Sequence, residues 1–515
     1  MGKWIRHTLG LLLVFTLVAG ACGNSGDEQS TTAPAPSTDN SSDDAPAPST
    51  DNTAEDTPAP STDDSSDDAP APSTDNTAED TPAPSTDDSS DDTPDGQPVE
   101  VEEPDDSHVF IPIEGVPGVN DDEISVAVIG TKSNNPLGTC ILDCYTTGIE
   151  AYFDMMNSQG GLYGRELVIG EHLDDELFNN QATSLEVIAE EDSLAAFVST
   201  LLASGFESLD EARVPAYNWG IHASVSNGLM SNFPVPAPSC PNCTVRHIPY
   251  MAQISGATRV AALGYGISEN SKVCANTYAA SIDLYGGDIG AETVYINDEI
   301  AFGVPNGVGP QVTEMIEAGV DFIASCLDLN AMKTIAQELV RQGVRDQITM
   351  HHPNSYDHNF AAEAGDIFDG DLVSVTFAPL ETSGLAAVDD FLEWTERHGG
   401  PVAEQTIFGW VNADLFVQGL KAAGPEFDRE SLIEATNTQL TSYSAGGLVS
   451  PIDWSRQHLA PTAEDRLTNG PPQECVSMVW MQSGAFELAT ESDSPFLCWD
   501  NSTSDWAEPE PTNFG

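Results

Sequence analysis

Residues 124–175 constrain the fold more than any other stretch, because they combine a strand, a helix and a second strand. The first strand is the apolar run 124–130. The helix after it carries apolar residues at the i, i+3, i+4, i+7 spacing of a buried face, namely Ile149, Tyr152, Phe153 and Met156. Glycines end the helix at 160–164 and permit the positive φ angles of a tight reversal. The strand 166–170 follows at once, so the stretch predicts two parallel strands joined by a right-handed crossover.

Strands and helices continue to alternate to about residue 423. Strands are predicted at 194–200, 214–219, 260–265, 292–297, 321–327, 347–350 and 371–377. Helices are predicted at 181–191, 311–318, 331–342, 388–398 and 408–423. A short helix is also predicted to start at residue 204, and another to follow the strand 260–265 and end near residue 285. The helix at 181–191 is predicted to bury Ala182, Leu185, Ile188 and Ala189. The proline-rich stretch 228–247 interrupts the alternation and is interpreted as a surface loop before a second lobe. The pattern predicts an α/β protein with two three-layer lobes.

The first 21 residues have the features of an export signal. Lys3 and Arg6 precede an apolar core at 9–18, which is too short to cross a membrane permanently. The sequence Ala-Gly-Ala-Cys at 19–22 looks like the cleavage site of a bacterial lipoprotein, which predicts a lipid on Cys22. Ordinary secretion, with Cys22 as an incidental thiol, is the alternative.

A twelve-residue unit rich in proline, serine and aspartate is repeated five times over residues 33–92. The unit contains acidic residues, no basic residue and no apolar face, so it predicts an extended, disordered linker. Most acidic residues lie outside the repeat, and the whole chain has a formal net charge of −67. This charge argues against nucleic acid or an anionic membrane surface as an electrostatic partner.

Nine cysteines are present, and an even number remains once Cys22 is set aside. In an exported chain the remaining cysteines are expected to form disulfide bonds. Close spacing favours the pairs Cys140–Cys144 and Cys240–Cys243. A redox or zinc site at 240–243 is the weaker alternative, because the sequence has no second CxxC motif and no thioredoxin-like context.

Several motifs resemble a known family. The pattern N-x-x-G-G-x-x-G-R at 157–165 is similar to the first strand–helix–strand unit of the extracytoplasmic solute-binding proteins of the branched-chain amino acid and amide type, which serve ABC transporters. Residues 320–322 and 337–343 resemble the second lobe of the same leucine-binding-protein-like family. The resemblance covers roughly residues 124–500. It implies a type I periplasmic-binding-protein fold with a ligand cleft between two parallel-sheet lobes, and the disulfide pairs Cys274–Cys326 and Cys475–Cys498.

The predicted domains follow from these features. The signal peptide is assigned to residues 1–21, and the lipid anchor with its disordered linker to 22–120. The first lobe is assigned to 121–247 plus 378–445, and the second lobe to 248–377 plus 446–500. Residues 501–515 are predicted to be a disordered tail.

Motifs of an exported enzyme are missing from the sequence. It contains neither a G-x-S-x-G nucleophile elbow nor an H-E-x-x-H zinc motif. His351, His352, Asp357 and His358 lie close together, but their spacing is weak evidence for a metal and is better explained as a polar loop rim. We therefore expect a protein that catalyses no reaction and holds no cofactor or metal.

The candidate ligand site lies in loops at the carboxyl ends of the strands, where open α/β sheets bind ligands. Its residues are Ala203, Ser204, Gly205, Trp219, Gly220 and His222 in the first lobe, and Ser268, Glu269, Asp328, Asn330, Asn354 and Tyr356 in the second. Ser204 and Glu207 have capping-box spacing. In the family, a serine at the place of Ser204 receives the carboxylate or carbonyl oxygen of the ligand. Both roles of Ser204, helix cap and ligand contact, are open at this point.

The charge of the solute is a separate question. Amino acid binders of the family hold the α-ammonium group with an acidic residue at the place of Asn354, which is neutral here. Asp328 or Glu269 is an alternative source of negative charge, since a buried ammonium group needs compensation. If neither faces the cleft, an amide or another uncharged solute is favoured.

The favoured function is that of a monomeric protein anchored to the outer face of the cell membrane by the lipid on Cys22. It would capture a small polar solute, an amino acid or amide, by closure of its lobes and deliver it to ABC permease subunits. An exported receptor domain of the same fold that reports a solute without importing it is the alternative, because a fold does not fix a function. An exported hydrolase is disfavoured by the missing nucleophile motif.

Overall fold

Two β-sheets organise the part of the chain that the computed structural model describes, residues 109–222, 227–236, 240, 243–400, 402–459 and 461–515. The predicted signal peptide 1–21, the lipid-attachment residue Cys22 and the repeat 33–92 lie outside the described residues. None of the described helices combines the length and the apolar character needed to cross a membrane.

The first sheet consists of β1 (Glu123–Gly130), β2 (Glu166–Asp174), β3 (Ala195–Ser199), β4 (Ala216–Trp219) and β5 (Asn232–Val235). All five strands are parallel, in the order β2-β1-β3-β4-β5. In β1, Val126 and Val128 belong to the core on one side of the sheet, and Ala127 and Ile129 to the core on the other. Because both faces are buried, the strand is a continuous apolar run rather than an alternating one.

Helices alternate with strands along most of the chain. The described helices are α1 (Leu142–Ser158), α2 (Asn180–Glu190), α3 (Phe206–Glu211), α4 (His247–Ile254), α5 (Glu269–Ile289), α6 (Gly309–Ala318), α7 (Leu329–Gln342), α8 (His358–Ala364), α9 (Ala386–His398), α10 (Glu404–Ala423) and α11 (Arg429–Gln439).

Glycines bring α1 and α10 into close contact on one face of the first sheet. A Cβ atom on Gly148 would lie 2.0 Å from the Thr406 carbonyl oxygen, and a Cβ atom on Gly409 would lie 2.0 Å from the Tyr145 carbonyl oxygen. Only glycine allows the two backbones to approach so closely. This contact holds α10 against the helix layer of the first sheet.

The second sheet consists of β6 (Arg259–Tyr265), β7 (Glu292–Ile300), β8 (Phe322–Cys326), β9 (Thr349–Pro353), β10 (Leu372–Val375), β11 (Gln473–Gln482), β12 (Ala485–Leu488), β13 (Phe496–Asp500) and β14 (Glu510–Thr512). Its order is β14-β13-β11-β10-β9-β8-β6-β7, and β12 pairs with β11. The strands β6 to β10 are parallel, and β11 to β14 add antiparallel pairs at one side. The C-terminal residues thus complete this sheet.

We call the first sheet with α1–α3 and α9–α11 the first lobe, and the second sheet with α4–α8 the second lobe. Two of the segments that connect them pair with each other. Phe377 forms a bridge with Val449, and the Ala378 N–H donates to the Leu448 carbonyl oxygen at 2.8 Å. We call residues 377–381 and 445–452 the hinge segments.

Residues 446–459, assigned to the second lobe from the sequence, pack on the first lobe instead. The ring of Trp454 lies 5.4 Å from that of Phe233 in β5. His458 Nε2 lies 2.5 Å from Asn437 Oδ1 at the end of α11. The predicted boundary at 445 therefore comes too early, because the chain after the hinge first covers the edge of the first sheet.

The predicted surface loop at 228–247 contains β5, which the sequence analysis missed. Phe233 and Val235 are buried in this strand. Pro234 hid it, because proline suggests a loop, but β5 is an edge strand, where a missing N–H group is tolerated.

Residues 109–120, predicted to be linker, belong to the folded part. Arg165 is fully buried, and its guanidinium group is held by this segment. Nε donates to the Asn120 carbonyl oxygen at 2.6 Å and Nη2 to the Ile111 carbonyl oxygen at 2.8 Å. The guanidinium carbon lies 4.6 Å from the centre of the Phe110 ring. A buried cation needs these acceptors, so the segment completes the turn between α1 and β2.

The tail 501–515 is ordered, contrary to the prediction of disorder. Its strand β14 pairs antiparallel with β13. The Trp499 Nε1 atom donates to the Ala507 carbonyl oxygen at 3.0 Å, and the Trp506 ring lies 5.5 Å from that of Tyr285 in α5. Buried aromatic contacts of this kind offset the conformational entropy that a free tail would keep.

Four disulfide bonds join the cysteine pairs named from the sequence: Cys140–Cys144, Cys240–Cys243, Cys274–Cys326 and Cys475–Cys498. Cys274–Cys326 ties α5 to the end of β8, and Cys475–Cys498 links directly paired residues of β11 and β13.

Candidate functional site in the cleft between the lobes

Loops at the carboxyl ends of the strands of both sheets meet across a cleft. His222, which follows β4, lies in the first lobe, and its Nδ1 atom is 3.0 Å from Asn270 Nδ2 in the first turn of α5. Asn330 in the first turn of α7 donates from Nδ2 to the carbonyl oxygen of Pro136, which follows β1, at 3.0 Å. These two contacts cross from one lobe to the other. They place the cleft where parallel sheets bind ligands.

The strand ends of the first lobe contain paired and unpaired buried polar groups. Ser199 ends β3 and donates from Oγ to Gln405 Oε1 in the first turn of α10 at 2.8 Å; both side chains are buried. Trp219 ends β4 with 3% exposure, and its Nε1 has no hydrogen-bond partner among the described residues. A buried donor without a partner costs about 1–3 kcal/mol, so an acceptor atom of a ligand would recover that energy.

Glu404 begins α10 at the junction of the two lobes. Its backbone N–H donates to the Tyr356 carbonyl oxygen at 2.7 Å, whereas its side-chain Oε2 has no hydrogen-bond partner among the described residues. Burial raises the pKa of Glu404 to about 8, and a hydrogen bond from the Tyr356 backbone opposes the rise. At pH 7 this carboxyl group is therefore mostly a neutral acid, which can donate and accept hydrogen bonds but does not act as a counter-ion.

Asp328, the predicted source of negative charge, is engaged within the second lobe. It caps α7, and its Oδ1 accepts from the Ala331 N–H at 3.1 Å. Its Oδ2 accepts from the Tyr265 hydroxyl. Burial raises the pKa of Asp328, and the hydrogen bond from Tyr265 opposes that rise. An ammonium group at this carboxylate would share it with the Tyr265 hydroxyl and the Ala331 N–H.

The prediction that Ser204 caps α3 is wrong. The N-cap is Gly205, which has a φ of +106° and makes no side-chain cap hydrogen bond. A left-handed residue therefore separates the exposed Ser204 from the helix. Ala203, half-buried before this turn, packs against the core beside α3.

Gly220 and His222 occupy the loop after Trp219. A Cβ atom on Gly220 would lie 2.2 Å from the Pro236 carbonyl oxygen, so the glycine permits a close backbone approach beside the cleft. His222 is 7% exposed, and burial lowers its pKa while the Thr200 backbone raises it. The ring is therefore neutral at pH 7.

The predicted residues of the second lobe divide between helix starts and the hinge. Ser268 caps α5 and accepts from the Ser271 N–H, and Glu269 is exposed in the same turn. Asn354 is exposed with a φ of +50°. Tyr356 is fully buried, and its hydroxyl donates to Glu381 Oε2 at 2.7 Å.

Of the predicted set, His222 and Asn330 make side-chain hydrogen bonds across the cleft, and the Tyr356 carbonyl oxygen accepts from the Glu404 N–H at the junction of the lobes. Ser199, Glu404 and Gln405 are not among the residues predicted from the sequence. Ser199 could have been found, because it lies at a predicted strand end. The other two carried no signal, since the apolar pattern of α10 begins only at Phe408.

The prediction that these histidines lie on a polar loop rim is wrong for His351 and His352, which are fully buried in β9. His351 Nε2 lies 2.8 Å from Ser374 Oγ, and His352 Nε2 lies 2.9 Å from Asp371 Oδ2. His358 Nε2 lies 3.4 Å from Glu381 Oε1. Among the described residues, one acidic group has metal-ligand spacing, namely Glu171, Glu190 and Asp192 on the surface of the first lobe. Exposed acidic groups of this kind are common without an ion.

Comparisons with known proteins agree with this architecture. The profile of a protein family described as "Periplasmic binding protein" matches residues 123–467. A search of curated protein sequences finds no match.

Solved structures share the fold at low sequence identity. A substrate-binding periplasmic protein from Ralstonia solanacearum has a TM-score of 0.55 and 17% identity, over 71% of this chain and 99% of that one. A branched-chain amino acid ABC transporter protein from Thermus thermophilus with bound valine has a TM-score of 0.55 and 16% identity, over 72% and 96%. An R. palustris solute-binding protein in complex with 4-hydroxybenzoate has a TM-score of 0.54 and 17% identity, over 71% and 95%.

Proposed function

Because the chain belongs to the periplasmic binding protein family and has its two-lobed type I fold, we propose that it captures a small polar solute between its lobes and delivers it to an ABC permease. The observation that carries this proposal is the pair of sheets whose parallel strands end in loops that meet across a cleft. Contacts from His222 to Asn270 and from Asn330 to Pro136 already join the two sides. A hinge with such contacts supports binding by closure.

The solute that fits best is an amino acid or an amide. The structural neighbours include one protein with bound valine and one with 4-hydroxybenzoate. In this chain the buried Trp219 Nε1 offers a donor, and the mostly neutral Glu404 offers a donor and an acceptor. Asp328 is engaged with Tyr265. A carboxamide group needs this combination, because its NH₂ group donates and its oxygen accepts. Among the possible solutes, an amide is therefore favoured over a group with a full positive charge.

The proposed contacts come from the strand-end loops that were predicted, with three additions. We place Ser199, Glu404 and Gln405 beside Trp219 and His222 at the solute. The exposed Ser204 and Asn354 contact the solute only if they move when the lobes close. Tyr356 acts through the hinge, since its hydroxyl is held by Glu381 and Leu380.

The chain before residue 109 gives the protein its place in the cell in this proposal. The signal 1–21 exports it, the lipid on Cys22 anchors it to the outer face of the membrane, and the acidic repeat 33–92 lets the lobes reach the permease. The protein acts as a monomer and catalyses no reaction, because closure of the lobes is itself the functional event.

A thermal-shift screen of the full chain tests the proposal. The probes are the amino acids, the carboxamides asparagine, glutamine and acetamide, and 4-hydroxybenzoate. A specific solute at a hundredfold excess over its Kd raises the free energy of unfolding by about 2.7 kcal/mol. We expect one or a few related probes to do so, and calorimetry to give a single site. Stabilisation by none of the probes, together with turnover of an ester or amide, would overturn the proposal.

A matched pair of variants then tests the site. Trp219→Phe keeps the aromatic ring but removes the Nε1 donor, so we expect a weaker affinity for the solute found in the screen. Trp394→Phe is the control, because Trp394 lies in α9, where the guanidinium carbon of Arg397 is 3.7 Å from the centre of its ring. Equal affinities of the two variants would remove Trp219 from the site.

A further inference from the structure

The last six residues, 510–515, run from the second lobe to the first, and we infer that they form a strap that limits how far the lobes open. The strap begins as β14, which pairs antiparallel with β13 from Cys498↔Glu510 to Phe496↔Thr512. Asn513 donates from Nδ2 to the Asp493 carbonyl oxygen at 2.9 Å, and the Phe514 ring lies 5.1 Å from that of Phe496. These contacts fix the strap to the second lobe.

The end of the strap lies between the hinge and the first lobe. A Cβ atom on Gly447 would lie 2.4 Å from the Gly515 backbone nitrogen and 2.8 Å from the Phe514 carbonyl carbon. A Cβ atom on Gly515 would lie 2.0 Å from Leu385 Cδ1. Gly447 belongs to a hinge segment, and Leu385 is the N-cap of α9 in the first lobe. Phe514 and Gly515 are therefore packed between the two parts that must move when the lobes rotate.

A second contact supports the strap at the same edge. Ser492 lies in the second lobe just before β13, and its Oγ accepts from the Ser383 N–H at 2.8 Å. The two serine hydroxyl groups are 2.7 Å apart. Ser383 lies between the hinge and α9, so residues on both sides of the rotation are joined here as well.

Opening the lobes rotates α9 relative to β13 about the hinge segments. The strap is held at β13 and packed against the start of α9, so a wide rotation has to break one of these contacts. The intact chain should therefore sample a narrower range of open states than a chain without the strap. If the proposed function holds, a higher closed fraction also tightens the apparent affinity, since Kd,app equals Kd divided by the competent fraction. The limit that the strap sets on opening of the lobes does not depend on the proposed function.

Distance measurements between spin labels test the strap without any solute. Labels are attached at Glu186→Cys in α2 and Glu317→Cys in α6, which are exposed and lie in opposite lobes. The full chain also carries Cys22→Ser, so that only the introduced thiols react. We expect a chain that stops after Thr512 to give a longer and broader distribution than the intact chain. The shortened chain keeps the residues of β14 but lacks Phe514 and Gly515, which pack against Gly447 and Leu385.

A second pair of variants tests the same contact in the full-length tail. Gly447→Ala places a Cβ atom against the backbone of Gly515, which has to move. Gly343→Ala is the control, because its φ of +77° is also left-handed but it lies at the end of α7, outside the hinge segments, and its Cβ atom would meet no atom within 4 Å. We expect Gly447→Ala to lengthen the distances and Gly343→Ala to leave them unchanged. Identical distributions for the intact chain and all variants, or equal shifts for the two glycine variants, would overturn the strap. If the shortened chain does not fold, the glycine pair alone decides.

Discussion

Glu404 ties the stability of this protein to pH through one buried side chain. Its folded pKa of about 8 is raised by burial from the ordinary value of 4.5. Between these values the unfolded chain binds fewer protons than the folded one, so the stability that Glu404 contributes falls as pH rises from about 4.5 to 8. Glu404→Gln removes this fall, because glutamine does not titrate.

We expect the variant to gain free energy of unfolding relative to the parent over this range, by about 1.4 kcal/mol for each unit of the pKa difference. Urea denaturation at pH 5, 6.5 and 8 measures the gain, and the exposed Glu396→Gln is the control. A gain that is the same at all three pH values would contradict the assigned burial effect.

Ser204 and Asp428 both precede a helix, but we expect their replacement by alanine to affect the free energy of unfolding differently. Asp428 accepts from the Ser431 N–H at 2.8 Å in a complete capping box, whereas Ser204 is exposed beyond the Gly205 cap. Asp428→Ala should lower the free energy of unfolding by about 0.5–2 kcal/mol. Ser204→Ala should change it by less than about 0.5 kcal/mol. Thermal denaturation of both variants decides, and an equal loss would place Ser204 back in the cap.

At the scale of residues, the sequence predicted where a side chain lies along the fold better than it predicted which side chains it contacts. The strand-end rule selected Trp219, His222 and Asn330, which lie at or just after the ends of β4 and β8, because that rule depends only on the parallel sheet. The burial of Glu404 and the pairing of Asp328 with Tyr265 depend on which elements pack together. No local spacing contains that information.

The disulfide bonds should stabilise their elements unequally. Cys274–Cys326 spans 52 residues and Cys140–Cys144 only 4. The chain-entropy model gives about 4 kcal/mol for the first loop and about 2 kcal/mol for the second. Replacing each pair by serines should therefore lower the free energy of unfolding more for Cys274–Cys326, as measured by denaturant titration. A larger loss for Cys140–Cys144 would show that strain or packing outweighs loop entropy here.

Helix existence was predictable, but the start and rotation of individual helices were not. α2 was predicted to bury Ala182, Leu185, Ile188 and Ala189, but it buries Asn180, Thr183, Ser184 and Val187. Leu185 is 48% exposed. Asn180 sets the rotation, because its Nδ2 donates to Thr200 Oγ1 at 3.1 Å and to the Leu202 carbonyl oxygen at 2.8 Å. A buried polar anchor of this kind outweighs a weak apolar stripe, since leaving it unpaired costs about 1–3 kcal/mol.

At the scale of the whole molecule, the α/β architecture followed from the sequence because the alternation restarts after residue 247. Parallel strands need helical crossovers, so two runs of alternating elements leave few arrangements other than two covered sheets. The antiparallel strands β11 to β14 and the ordered tail were not predictable in this way. They add to an existing sheet edge, and the sequence pattern does not state which edge is free.

The contacts across the cleft should control how often the two lobes are closed. Asn270 and Asn330 each contribute one interlobe contact, to His222 and to the Pro136 carbonyl oxygen. A hydrogen bond is worth about 1 kcal/mol net, so each Asn→Ala change should lower the ratio of closed to open molecules about fivefold. In the spin-labelled chain described above, Asn270→Ala with Asn330→Ala should shift the distribution toward longer distances. Asn276→Ala is the matched control, because Asn276 lies on the same helix as Asn270 but donates to Asp298 Oδ2 at 2.8 Å within the second lobe. A shift of equal size in the control would mean that α5 itself, rather than the contact across the cleft, sets the closed fraction.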